Sequence, residues 1–246
     1  MDEMVLTNYY NREPISHIVA GPPVLRFSIE EIPYILFTSD MHLQHNNIIS
    51  FTHRPYTTVE EMNIDLVRNW NKEVESVGRN KAIVIHCGDF IFGTKRAYNF
   101  YINRLLGSKI YMVIGNHDIK NVINQYKFEI DGNERIVWNG EYLVEIFDED
   151  KKKVTTFTVS HHPYMSFNGA FNLHGHLHTP PDLQYYTGSD KVIGEKLREM
   201  GNYYDVGVDG NGYKPVRLSD ILTGNTISPK MKCVDYEFWQ NKLIKK

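Results

Sequence analysis

A four-layer α/β/β/α sandwich, two mixed sheets face to face with helices outside, is the fold class that this sequence of 246 residues predicts. Three observations carry the prediction. Short apolar runs rich in strand formers each end in a polar cluster; amphipathic patterns lie between those runs; and beyond Tyr126 the runs become alternating. The first two describe doubly wound logic, in which functional groups gather at the carboxyl edge of a parallel sheet. The third supplies a second, more antiparallel sheet to pack against it.

Taken in order, residues 1–30 form a polar opening around Gly21-Pro22-Pro23 and read as an N-terminal extension that reaches the core only at Tyr34. Tyr34-Ile35-Leu36-Phe37-Thr38 is a buried strand that delivers Asp40 at its tip. A helix follows from Thr58 to Val77, with Thr58 as cap, Glu60 and Glu61 in the first turn, and Met62, Leu66, Val67 and Trp70 on one face. The pattern repeats with a strand at 82–87, a helix from Thr94 to Leu106 stopped by Gly107, and a strand at 110–114. Runs near 134–138, 141–147 and 153–160, separated by Asn139-Gly140 and by Asp148-Glu149-Asp150-Lys151, read as hairpin-connected strands. A helix near 190–200 ends at Gly201, and Tyr203 to Val208 is a further strand. Residues 224–246 have weak periodicity and read as a C-terminal extension, which leaves 31–223 as one domain.

Composition narrows the function classes. A hydrophobic share of 41% with 13% aromatics excludes a disordered chain. The net charge of -3 gives no footprint for long nucleic acids. Cys87 and Cys233 have no spacing that suggests a disulfide framework or a structural zinc. The first residues are acidic where a secretory signal would be basic, and no apolar run reaches the ~20 residues of a membrane span. The expectation is a soluble, cytoplasmic protein with no membrane partner; no motif sets its oligomeric state.

Chemistry concentrates in five islands: Asp40-Met41-His42, Gly88-Asp89, Gly115-Asn116-His117-Asp118, Ser160-His161-His162-Pro163 and Gly175-His176-Leu177-His178. Two carboxylates, an amide oxygen and several imidazoles form a mixed nitrogen and oxygen set, suited to borderline divalent ions such as Mn, Fe, Zn or Ni. One aspartate can bridge two cations, and two ions ~3.5–4 Å apart can activate water and clamp a phosphoryl group together. Any single island is weak evidence, since an isolated DxH, GD or GHxH occurs in ordinary turns. Their conjunction, with the earlier islands each placed after a strand, is what points to a metal site.

The ordered set DxH, GD, GNHD, a later H and GHxH resembles the calcineurin-like metallophosphoesterase superfamily. It is most similar to small bacterial and phage phosphoesterases, because DxHxxHxNII with a following Arg54-Pro55, the GDFxFG run from Gly88 to Gly93, and a DVGVDxNxYxP tail from Asp205 to Pro215 also match. The resemblance implies that Asp40, His42, Asp89 and His178 hold one divalent metal ion and that Asp89, Asn116, His161 and His176 hold the other. It implies direct attack of an activated water on phosphorus with no phosphoenzyme, and His117 as the catalytic residue that protonates the leaving oxygen or stabilises the transition-state charge. Asp118 would orient the turn, and His162 would stand behind His161.

Other residues are more ambiguous. His45 and Arg54 are candidate substrate-binding residues, the guanidinium as a bidentate grip on a phosphate oxygen or, equally, as the partner of a nearby helix. His86 and Cys87 read as core; His17, His53 and His174 as surface or turn histidines; Lys151-Lys152-Lys153 as a solvated turn. Phe90-Ile91-Phe92-Gly93 replaces the arginine that protein phosphatases of the superfamily carry after GD, which disfavours a phosphoprotein substrate. The leading expectation is a phosphodiesterase acting on a small, nucleotide-like phosphoester. A nuclease acting on RNA or DNA is the first alternative, with Tyr164, Phe167, Phe171, Tyr185 and Tyr186 as base-stacking candidates. A catalytically inactive interaction module is the second, and the intact set of candidate ligands speaks against it.

Overall fold

The computed structural model describes residues 21–119, 135–182 and 189–244. Its strands are β1 (Val24–Ser28), β2 (Ile35–Thr38), β3 (Ile83–His86), β4 (Lys109–Val113), β5 (Ile136–Asn139), β6 (Tyr142–Phe147), β7 (Lys153–Val159), β8 (Phe171–His174), β9 (Tyr203–Asp205) and β10 (Val216–Arg217). They form two five-stranded sheets in the orders β10-β2-β3-β4-β5 and β1-β6-β7-β8-β9. In the first, β2, β3, β4 and β5 run parallel and only β10 is antiparallel. Helices α1 (Ile48–Phe51), α2 (Val59–Val77), α3 (Lys95–Ile102), α4 (Ser189–Met200), α5 (Leu218–Thr223) and α6 (Tyr236–Leu243) flank the sheets. The predicted fold class stands: two mixed sheets flanked by helices.

Alternation along the parallel strands decides what each face buries. Ile35, Phe37, Ile85 and Val113 point into a core shared with Val144, Ile146, Phe157, Leu173 and Tyr204 of the second sheet. Leu36, Val84, Ile110 and Met112 point the other way, onto Met62, Leu66, Trp70 and Val74 of α2 and Ile102 of α3. The α2 stripe read from the sequence is the buried one, and Thr58 caps it by accepting from the Glu61 amide at 3.2 Å. Near the site the sheets are joined by backbone, through a bridge between Ser39 and Gly207 and a 3.1 Å bond from Val208 N to Ser39 O.

Four expectations are corrected. The core begins before Tyr34: β1 pairs in parallel with β6, and Phe27, Ile29 and Ile32 are buried, so the boundary at residue 30/31 cuts through the short 3-10 helix Ile29–Tyr34 that joins β1 to β2. Residues 1–20 of that extension lie outside the described residues. Asn139-Gly140 is no hairpin; it carries the chain from β5, at the edge of one sheet, to β6 in the other. Among the described strands of the second sheet only β6 and β7 pair antiparallel, so that sheet is mostly parallel. Of the 224–246 stretch, the described residues 224–244 are part of the packed unit, because Met231, Val234 and Trp239 are buried in the inter-sheet core.

Candidate metal centre

Strand ends deliver the site from both sheets. Asp40 follows β2, Asp89 follows β3 and Asn116 follows β4, while His161 follows β7 and His176 and His178 follow β8. Asp40, His42, Asp89, His176 and His178 all have left-handed backbone, with φ of 57°, 48°, 57°, 73° and 50°. For residues other than glycine this conformation costs roughly 1–2 kcal/mol each. Local strain is therefore concentrated on the residues that converge. Tertiary bonds hold it in place: Asp40 N donates to Gly88 O at 2.9 Å and His42 N to Asp89 O at 3.0 Å.

The two carboxylates are set in the same way. Asp40 Oδ2 accepts the His176 amide at 2.9 Å, and Asp89 Oδ1 accepts the His117 amide at 2.9 Å. Each leaves its other oxygen facing imidazoles. Asp40 Oδ1 and His42 Nε2 are buried without a hydrogen-bond partner and lie 3.8 Å apart. Around them, Asp89 Oδ2 lies 3.6 Å from His42 Nε2, 3.4 Å from His161 Nε2 and 4.0 Å from His117 Nε2, and His178 Nε2 lies 3.9 Å from Asp40 Oδ1. Donors ~2.1 Å from a shared cation stand roughly 3–3.5 Å from one another, so these spacings are close to what an ion requires.

His161 shows the same fit through its protons. Its Nδ1 lies 2.8 Å from Cys87 O, which can only accept, so Nδ1 carries a hydrogen. Nε2 then faces two further oxygens, Asn116 Oδ1 at 2.8 Å and Asp89 Oδ2. Those three atoms can share one positive charge, either a second ring proton or a cation. Burial lowers the His161 pKa, but the Asp89 bond and the charges of Asp40 and Asp89 outweigh it and raise it to about 9. His178 is raised to about 9 against burial by Asp40 and Asp209. Burial pushes His42 and His176 down to about 4, and both aspartates lie below the ordinary range despite burial because imidazoles surround them. Groups of Asp40, His42 and His178, of Asp40, Asp89 and His161, and of His161, His162 and His176 each present donor atoms close enough to share a metal ion.

Glycine is required where the islands touch. A Cβ on Gly115 would collide with the Asp89 carboxylate, and one on Gly175 with Ser39 and the Asp40 carboxylate. Behind the Asp89 turn, Asp118 is fully buried and accepts from the amides of Asp89, Phe90 and Gly115 at 2.7, 3.0 and 2.9 Å. This is the orienting role the sequence predicts for it.

The remaining assignments divide. His117 sits beside His42, ring centroids 5.2 Å apart, with a side chain 40% exposed. His45 packs on Phe92 at 4.5 Å and shares the wall of the same cavity. Arg54 is different: its side chain is buried and its donors are turned inward, so it does not reach a substrate phosphate. Nε and Nη2 clasp the Asp209 carboxylate at 2.8 Å each, while Nη2 and Nη1 also donate to Asp40 O at 2.7 Å and Met41 O at 3.0 Å. Asp209, which sequence reasoning missed, accepts from His178 Nδ1 at 2.7 Å. The only signal for it was its place in the matched tail motif.

His162 comes closer than expected, its ring 3.9 Å from that of His176. His174 is buried, not superficial, and its Nδ1 contacts Gly175 O. His86 is core as expected, and its Nδ1 accepts the Gly88 amide at 3.1 Å. Of the stacking candidates, Phe171 stacks on Phe157 in the core and Phe167 packs edge-on to Tyr203, while Tyr185 and Tyr186 lie outside the described residues. His17 also lies outside them.

A cavity of about 760 Å³ opens from His42, His117 and His178 and runs out past His45, Phe51, Tyr213 and Ile227. Phe51 is 69% and Ile227 58% exposed, so its outer wall is apolar and accessible. Among the described residues its acidic lining is Asp182, Asp190 and Asp209, and no lysine or arginine lines it. No helix among them is long and apolar enough to cross a membrane.

Comparison with known proteins places this geometry in context. The family model described as calcineurin-like phosphoesterase matches residues 33–208. An uncharacterized protein of Methanocaldococcus jannaschii, MJ1445, is 32% identical over 189 residues, covering 76% of this chain and 89% of that one. A shorter similarity, 25% over 99 residues, links 39% of this chain to 17% of ribosomal lysine N-methyltransferase 2 of Saccharomyces cerevisiae. Among solved structures, a protein of unknown function from Aquifex aeolicus, AQ665, aligns with a TM-score of 0.49 at 21% identity, covering 74% of this chain and 94% of that one.

Proposed function

Because the chain belongs to the calcineurin-like phosphoesterase family, we propose that it is a hydrolase of small phosphodiesters working with two divalent metal ions held between its sheets. Asp40, His42, Asp89 and His178 would hold one ion, and Asp89, Asn116, His161 and His176 the other. The observation that carries the reading is the pair of orphaned buried atoms, Asp40 Oδ1 and His42 Nε2, facing the Asp89 oxygen that also approaches His161. A buried polar atom without a partner costs a folded chain roughly 1–3 kcal/mol, a cost a bound cation would offset.

Divalent ions bound there would activate water and neutralise charge on the phosphoryl group. The protein's own groups supply the rest. Asp40 and Asp89 keep their outer oxygens fixed, because each inner oxygen is tied to a backbone amide of another island. His117, partly exposed at the cavity and backed by Asp89, is placed to give a proton to the leaving oxygen. Phe51, Tyr213 and Ile227 offer an apolar surface for the organic arm of an ester, and His45 borders the same space.

Metal-stripped protein reloaded with Mn, Zn, Ni or Mg and offered bis(p-nitrophenyl) phosphate and p-nitrophenyl phosphate tests this reading. The diester is expected to be turned over preferentially, with Asp89→Asn and His117→Ala each slowing it about 10²-fold or more. Undiminished turnover in Asp89→Asn would overturn the site assignment. Cleavage of a labelled oligonucleotide, with affinity falling steeply as salt rises, would move the substrate to nucleic acid.

A further inference from the structure

We infer that Arg54 and Asp209 form a positioning pair for one of the two metal positions, the one built from Asp40, His42 and His178, and reach the other only indirectly, through Asp40 and its bond to the His176 amide. The inference rests on the two-metal reading above.

Asp209 works through a single imidazole. Its Oδ2 faces His178 Nδ1 at 2.7 Å, and an ionised carboxylate can only accept, so Nδ1 carries a ring hydrogen and Nε2 is the nitrogen left to face Asp40 Oδ1, across a gap that a proton or a cation can fill. A carboxylate behind a ligand histidine fixes the ring and makes its outer nitrogen a better donor. Asp209 is held in turn by Thr52 Oγ1 at 3.2 Å and by Nε and Nη2 of Arg54. It is 8% exposed, so little solvent competes for its oxygens.

Arg54 extends the same control to the other two ligands. The carbonyls it grips, Asp40 O and Met41 O, belong to the two peptides that join Asp40 to His42. Asp40 and His42 are both left-handed, and a buried charged donor on those carbonyls holds a backbone that would otherwise relax. One guanidinium thus ties together the strained turn carrying two ligands and the carboxylate that aims the third. The two charges cancel within the pair, which therefore orients ligands without changing the charge offered to a metal or a phosphate.

The other position lacks this backing. His161 Nδ1 donates to a backbone carbonyl, Cys87 O, and the turn of Asp89 and Asn116 is held by Asp118, which does not touch Arg54 or Asp209. Damage to the pair should therefore be selective. Asp209 also lies one residue beyond the end of the family match at 208, while the residue it aims lies inside that match.

The test is metal titration of the full chain, stripped and refilled with Co(II), followed by calorimetry and by metal content after equilibrium dialysis. Wild type is expected to bind two ions. Asp209→Asn should keep one at its original affinity and bind the other about 10–100-fold more weakly. Because this substitution leaves a buried guanidinium without its counter-charge, two companions accompany it. Arg54→Met combined with Asp209→Leu removes both charges and should show the same selective loss; Arg54→Lys keeps the charge balance but not the fork, and should show a smaller loss at the same position. Equal weakening of both positions, or of neither, would overturn the pairing. Failure of wild type to bind two ions would instead overturn the dinuclear reading itself.

Discussion

At the scale of single residues, Asp118 is the sharpest case of a side chain that acts by supporting backbone. It satisfies three amides that surround Asp89. Asp118→Ala should cost about 3 kcal/mol, read as a drop in the urea midpoint, because the freed amides are buried and water replaces the carboxylate only in part. Gly115→Ala should cost about 1–3 kcal/mol by overpacking and lose metal binding with it, since the added carbon strikes the Asp89 carboxylate. The candidate ligands were legible in the sequence because each island pairs a donor with the glycine or strand end that lets it approach. Arg54 was half legible. Its residue type suggested a bidentate grip, and the grip exists, but its partner is Asp209, some 155 residues away in sequence. Sequence reading weighs near neighbours, and a buried ion pair between distant loops leaves no local pattern.

At the scale of elements, what could be read was whatever has a period. The α2 stripe and its Thr58 cap were readable because the period and the cap are local. Thr58→Ala should lower stability by about 1 kcal/mol without changing metal content, which separates the role of this helix from that of the site. Pairing of strands was less readable. Asn139-Gly140 has hairpin residues, yet β5 and β6 diverge into different sheets, because Trp138 packs with the helices while Val144 and Ile146 face the inter-sheet core. Trp239 on α6 gives the matching lesson at the C-terminus. Its surroundings in sequence are polar, but the side chain is 5% exposed and fills the core beside α5. Trp239→Ala should cost about 3–5 kcal/mol, measured by denaturant unfolding, which a loosely attached tail would not show.

For the whole molecule, two dependences follow. A metal held as proposed would bind the folded chain and not the unfolded one, so the melting temperature should climb with metal concentration and fall on chelation, the stability gained being about 2.7 kcal/mol at a hundred times the dissociation constant. Alkaline pH acts through buried phenols. Burial raises Tyr98 to about 12 and raises Tyr142 and Tyr204 as well. The folded state keeps these protons where the unfolded chain, near 10, releases them, so stability should decline from about pH 10 upward. Urea midpoints from pH 8 to 11 check the sign, and Tyr98→Phe should flatten the decline.

The site spans two sheets, and this has a consequence for breathing motions. Asp40, Asp89 and Asn116 lie on one plate and His161, His176 and His178 on the other, with the Asp40 and Asp89 carboxylates each holding an amide from a neighbouring island. Two plates clasped along one rim open at that rim first when the clasp is released. Hydrogen–deuterium exchange should therefore mark the His176 amide, whose acceptor Asp40 is on the opposite plate, as fast in chelated protein and slow once metal is restored, while the His117 amide, whose acceptor Asp89 shares its plate, and the amides of β3 and β4 barely respond.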